Sequence, residues 1–152
     1  MKKIDVLIDK TLNEIREIIH NSREKVYRSV NFELVLTYWN IGRVIVEDEQ
    51  RGKDRAQYGK YLIRNLSKKL VPEFGKGFDE SNLRNIRKFY LIFPIRDALR
   101  HEITWTHYRA LMRIDDEDER IFYIEETIKN GWSARQLERQ INSLLYKRLL
   151  LS

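Results

Sequence analysis

GKGFDESNLRNIRKFYLIFP, residues 75–94, decides how this chain reads. The two glycines make a turn, and Asp79 is a natural N-cap for a helix whose first turn is Glu80-Ser81-Asn82. Leu83, Ile86, Phe89 (or Tyr90) and Phe93 recur at helical spacing and form the side to be buried. Asn82, Arg84, Asn85, Arg87 and Lys88 are left for solvent. A reading helix in a helix-turn-helix has this division: an apolar side docks on a scaffold while amides and guanidinium groups reach bases and phosphates. An ordinary amphipathic helix with a solvated basic face has it too.

The charge around this segment favours the first reading. The net charge is +6 over 152 residues. Residues 51–100 hold 13 basic and 5 acidic residues, a net of +8, whereas residues 1–50 and 101–152 are each at −1. Localised positive charge is the footprint of a nucleic-acid site, although an acidic protein partner would also be attracted to it. Arg64, Lys68 and Lys76 lie in the same third of the chain.

Working outward, the elements are helical throughout. Gly (6) and Pro (2) are scarce, and 42% hydrophobic residues suffice for a core. Ile4 to Ile19 forms one helix, His20-Asn21-Ser22 a break, and Arg23 to Glu49 a second helix with a stripe of Val26, Val30, Leu34, Tyr38, Ile41 and Ile45. That stripe is thickened by Phe32, Val35, Leu36, Trp39 and Val46, so several neighbours should cover it. Gly42 costs such a helix about 1 kcal/mol relative to Ala, which implies close approach by another helix or a kink. Gln50–Lys60 reads as a connector, and Tyr58–Phe74 as a helix with Tyr61 (or Leu62), Leu66, Leu70 and Phe74 inward. Beyond Pro94, Thr104 caps a short helix, the Asp115–Glu119 run opens another that ends at Gly131, and Ser133 with Gln136 is a capping box for the last, which runs to Leu150. The expectation is one all-α domain over residues 1–152 with a helix-turn-helix. Tyr58–Phe74 is then the supporting helix and Asp79–Phe93 the reading helix.

Several classes of chemistry lack their parts. There are no cysteines, which removes disulfides, iron–sulfur clusters and thiol catalysis. His20, His101 and His107 show no i,i+4 pairing for zinc. The Asp115–Glu119 run suits a helix N-terminus better than a metal. No stretch approaches the roughly 20 apolar residues of a membrane span, and no signal peptide is visible, so a cytoplasmic protein is expected. Tyr38, Trp39, Trp105 and Trp132 read as packing residues.

Two resemblances extend this reading. TWTHYRALMRIDDEDERIFYIEETIKNGWSARQLERQI, residues 104–141, resembles the layout that follows the reading helix in ParB-type DNA-binding proteins, with Tyr108 where that motif carries Ala. A closer likeness covers nearly the whole chain. Tyr38-Trp39-Asn40-Ile41-Gly42-Arg43, Tyr58-Gly59, Leu66-Ser67, Phe74-Gly75-Lys76-Gly77-Phe78, Asn82-Leu83-Arg84, Phe89-Tyr90, Trp105-Thr106-His107-Tyr108 and Gly131-Trp132-Ser133 resemble the N-terminal domain of the YhcG family. The resemblance implies a bacterial, winged-helix-like DNA-binding domain joined to a C-terminal nuclease domain of the PDDEXK superfamily. Such a nuclease needs carboxylates and a lysine on adjoining strands to hold Mg²⁺ and position water. Here Glu73-Phe74-Gly75-Lys76 has the wrong spacing and no strand pair is legible. The chain is therefore expected to be the DNA-recognition module, without enzymatic activity or cofactor, for a partner nuclease domain. A homodimer is a further expectation, from the apolar surplus on the Arg23–Glu49 helix and on Leu144, Leu145, Leu149, Leu150 and Leu151. The alternative is a protein–protein interaction or dimerisation module with an incidental basic face.

Overall fold

A computed structural model describes residues 2–52 and 55–152, with the side chains of 55 and 56 left out. Among these residues the secondary structure is helical, with no strand. The helices are α1 (Lys2–Arg51), α2 (Arg55–Phe74), α3 (Glu80–Ile92), α4 (Trp105–Leu111), α5 (Glu117–Asn130), α6 (Ala134–Asn142) and α7 (Leu145–Leu150). Short 3₁₀ turns occupy Lys76–Phe78 and Arg96–Ala98. No described helix is long and apolar enough to cross a membrane.

The first two expected helices are one. α1 runs unbroken for 50 residues, so there is no break at His20-Asn21-Ser22. None of those three residues is a helix breaker: each costs a few tenths of a kcal/mol, and no Pro or Gly precedes Gly42. The two halves of α1 differ sharply. Residues 2–30 are exposed along their whole length, whereas Val35, Trp39, Gly42, Ile45, Val46 and Glu49 are buried. Val26, Val30 and Leu34, expected in the covered stripe, are exposed.

The buried half of α1 packs chiefly on α3. Leu83, Ile86 and Phe89 of α3 are fully buried, as the spacing predicted. Gly42 is where the two helices cross: a Cβ there would lie 2.5 Å from the Ile86 carbonyl oxygen and 3.0 Å from Tyr90 Cβ. Close approach, rather than a kink, accounts for this glycine. The Trp39 indole N–H donates to the Phe93 carbonyl at 2.7 Å and fastens the far end of α3.

α2 lies against both helices. Its buried residues among those described are Gly59, Ile63 and Ser67, with Leu62, Leu66 and Leu70 half-buried around them. Of the alternatives Tyr61 and Leu62 it is Leu62 that faces inward, and Phe74, expected inward, is exposed. The connector is shorter than expected, since α1 continues to Arg51 and α2 is already helical from Arg55; residues 53–54 lie outside the described part. Tyr58 closes this corner, donating from its hydroxyl to Asp48 at 2.8 Å.

The caps follow the sequence closely. Asp79 accepts from the Asn82 N–H, Thr104 and His107 form a capping box, Asp116 accepts from the Glu119 N–H, and Ser133 forms its box with Gln136. Gly131 ends α5 in the left-handed region at φ 63°. The aromatic residues read as packing do pack: Phe89 meets Trp105 at 5.1 Å and Tyr108 at 4.9 Å between ring centroids. The expected last helix is interrupted at Leu144, which takes φ 59° and divides it into α6 and α7. The Tyr123 hydroxyl, from a fully buried residue of α5, accepts from the Tyr146 N–H at 3.1 Å and returns α7 to the body.

Candidate nucleic-acid interface

The α2–turn–α3 unit is built by local rules. Gly75 takes φ 101°, a conformation a side chain would resist, and lets α2 end at Phe74. The chain turns through Lys76–Phe78, and Asp79 starts α3 by accepting the Asn82 N–H at 2.8 Å. The Asn82 side-chain amide donates to the Gly77 carbonyl. Asn82 therefore fastens the turn, and its amide is engaged within the chain.

Between the C-terminal end of α1, α2 and α3 lies an open cleft of about 530 Å³. It is lined by Lys60 and Arg64 from α2 and by Arg84, Arg87 and Lys88 from α3, with Glu49, Glu80, Gly59 and Ile63 between them. Four of the eight residues singled out in the sequence, Arg64, Arg84, Arg87 and Lys88, thus meet at one place. Lys68 is one turn beyond Arg64 on the same ridge of α2, and exposed. Lys76 is exposed in the turn, Asn85 is half-buried, and neither lines the cleft.

The five cations differ in what holds them. Lys60, Arg64 and Lys88 are exposed. Arg84 is exposed and pairs with Glu80 one turn earlier at 3.5 Å, a contact that water largely screens. Arg87 is a different case. Its Nε–H donates to both oxygens of Glu49, at 2.7 and 2.8 Å, and the Glu49 side chain is only 7% exposed. Gly59 leaves room for this carboxylate, since a Cβ there would come within 3.1 Å of Glu49 Oε1. The sequence placed Arg87 among the contact residues, and the structure gives it a structural partner 38 residues away. Lys60 and Glu49 were not singled out in the sequence. The Lys60–Arg64–Lys68 ladder at i,i+4 carried a signal for the first; nothing local signalled the second.

Elsewhere the titratable groups are structural. His107 is buried, its Nδ1 accepting from the Thr104 N–H at 3.1 Å and its Nε2–H donating to the Trp132 carbonyl at 2.8 Å. Burial lowers its pKa below the ordinary value, against a smaller opposing effect of the Trp132 carbonyl. Burial pushes Tyr108 up to about 12. No group of three or more His, Asp or Glu among the described residues could hold a metal. Within the Asp115–Glu119 run, Asp116 is the N-cap of α5. Arg113 pairs with Glu138 at 3.0 Å.

The class is an all-α domain with a cation-lined cleft between α2 and the capped helix α3. The particular family follows from comparison with known proteins. The profile of the DUF1016 N-terminal domain matches residues 14–148, and the chain belongs to that family. It is 38% identical over 170 aligned positions to "Putative nuclease YhcG" of Escherichia coli (strain K12), an alignment covering 91% of this chain and 45% of that protein. It therefore belongs to the YhcG family and spans less than half the length of this relative. A second similarity, 34% over 79 residues, covers 51% of this chain and 26% of "Nucleoid occlusion protein" of Lysinibacillus sphaericus (strain C3-41). No solved structure matches the chain.

Proposed function

We propose that this domain is a DNA-binding module, with α3 as reading helix and α2 as supporting helix of a helix-turn-helix. In longer members of its family it would bring a C-terminal nuclease domain to DNA. The observation that carries this is the convergence of Lys60, Arg64, Arg84 and Lys88 on one cleft, with Lys68 continuing the row. Four or five unburied cations on two adjacent helices suit successive phosphates of a duplex, and such contacts position a protein on DNA before any base is read. The names of the two relatives, "Putative nuclease YhcG" and "Nucleoid occlusion protein", support a DNA-related role. Asn85 and Arg84 are the residues of α3 assigned to bases, as amides pair with adenine and guanidinium groups with guanine.

The test is fluorescence anisotropy of a labelled duplex at several salt concentrations. Each neutralised phosphate contributes about −0.9 to the slope of log K against log salt. Lys60→Ala, Arg64→Ala and Lys88→Ala should each reduce that slope by about one unit. No binding at low salt would sink the reading, and stronger binding to single-stranded or duplex RNA would redirect it. A charge-independent partner on the same face would leave the slope flat.

A further inference from the structure

The N-terminal half of α1 has no cover within the chain. Residues 2–30 form a helical arm about 43 Å long at 1.5 Å per residue, exposed at every position. One side of it is apolar: Ile4, Ile8, Leu12, Ile15, Ile18, Ile19, Val26 and Val30 are between 40% and 64% exposed. A lone helix in water draws little stability from propensity and depends on packing of its apolar face. The stripe keeps close to the 3.6-residue period, so two straight helices can hold it in contact along its length.

We infer that this arm pairs antiparallel with the same arm of a second copy of the chain. Six of the eight stripe residues pair with one another about its middle, while Leu12 faces Ser22 and Ile18 faces Arg16. With the two-fold axis at residue 17, Ile15 faces Ile19 of the other copy, Ile8 faces Val26, and Ile4 faces Val30. Roughly 60–120 Å² of apolar surface per large aliphatic side chain gives about 500–1,000 Å² per copy. A stable interface needs about 800 Å² per partner. Asp5 and Asp9 lie on the same flank of the stripe as Arg16 and Arg23, acidic toward the N-terminus and basic beyond it, while Lys3, Lys10, Lys25 and Arg28 make the opposite flank basic. On the first flank an antiparallel pair sets the acidic end of one copy against the basic end of the other; the long lysine and arginine side chains of the second flank extend into solvent. An antiparallel pair also puts the two bodies, each carrying a basic middle third, at opposite ends of the pair, where a parallel pair would crowd them together. The inference does not depend on DNA binding, and its test does not read DNA.

Sedimentation equilibrium of the full 18.5 kDa chain should give twice that mass at micromolar concentration. Ile15→Glu with Ile19→Glu alters only exposed positions and should yield a monomer whose body still unfolds cooperatively, with helical signal lost from the arm. A monomeric wild type would overturn the inference, and so would a dimer that survives the double substitution. Direction is read by disulfide trapping, since the chain has no cysteine of its own. Ile8→Cys and Val26→Cys chains, mixed and oxidised, should cross-link to each other, and neither should cross-link to itself. Self-cross-linking by either would refute the antiparallel arrangement.

Discussion

Replacing Arg87 by alanine separates the two kinds of cation in the cleft. The Arg87 guanidinium supplies a charged N–H to both oxygens of a carboxylate that is 7% exposed. Breaking a buried ion pair by removing one partner costs about 3–5 kcal/mol when the other charge stays sealed. The Arg87 side chain is 39% exposed, so its removal opens a path for water to Glu49. That screening brings the expected loss to about 1.5–3 kcal/mol, the range for a hydrogen bond to a charged group. At about 2–4 °C per kcal/mol for a chain of this size, the melt should drop by about 3–12 °C. Arg84→Ala, which breaks only an exposed i,i+4 pair, should cost about 0–0.5 kcal/mol. Replacing both Glu49 and Arg87 by leucine should recover most of the loss, because an apolar pair leaves no unpaired charge behind. Far-ultraviolet circular dichroism melts and urea titrations of the four proteins supply the measurements. A melt of Arg87→Ala within 1 °C of wild type (roughly a few tenths of a kcal/mol), or an equal loss in Arg84→Ala, would refute the reasoning.

Three further outcomes follow from the packing and the site. Gly42→Ala should destabilise by about 0–2 kcal/mol in urea unfolding, since overpacking costs about 1–3 kcal/mol and improved helix propensity offsets about 1; a stabilised variant would show that α3 can move away freely. Because burial holds the His107 pKa below its unfolded value of 6.5, the unfolded chain binds the proton first as pH falls. The stability from neutral His107 is therefore complete above 6.5 and lost on acidification through the folded pKa, and urea midpoints between about pH 7 and pH 5 should show a decline that His107→Ala lacks. Incubated with supercoiled plasmid and Mg²⁺ or Mn²⁺, this chain should leave the plasmid intact; dose-dependent nicking that vanishes when the Asp115–Glu119 run is neutralised would make that run a metal site.

The local structure was legible in the sequence because it depends on residues three or four apart. Asp79, Thr104, Asp116 and Ser133 each cap a helix through a contact to the third residue on, and Gly131 ends α5 by its own backbone freedom. The buried side of α3 was equally plain, whereas at Gly42 the sequence left close approach and a kink open, and the crossing with α3 decides between them. Along α1, however, the apolar pattern of Ile8, Leu12, Ile15 and Ile19 looks no different from that of Val35, Trp39, Ile45 and Val46. Periodicity reports which side is apolar, and only the placement of α3 and α4 decides which half of that side is covered. The basic third of the chain was readable as charge, but its division was not. Arg84 and Arg87 stand three residues apart on the same helix, one paired with Glu80 in solvent and the other with a carboxylate 38 residues away. Local spacing carries no information about that distant partner, so only the tertiary structure reveals that Arg87 is held by Glu49 while it lines the cleft with Lys60, Arg64, Arg84 and Lys88.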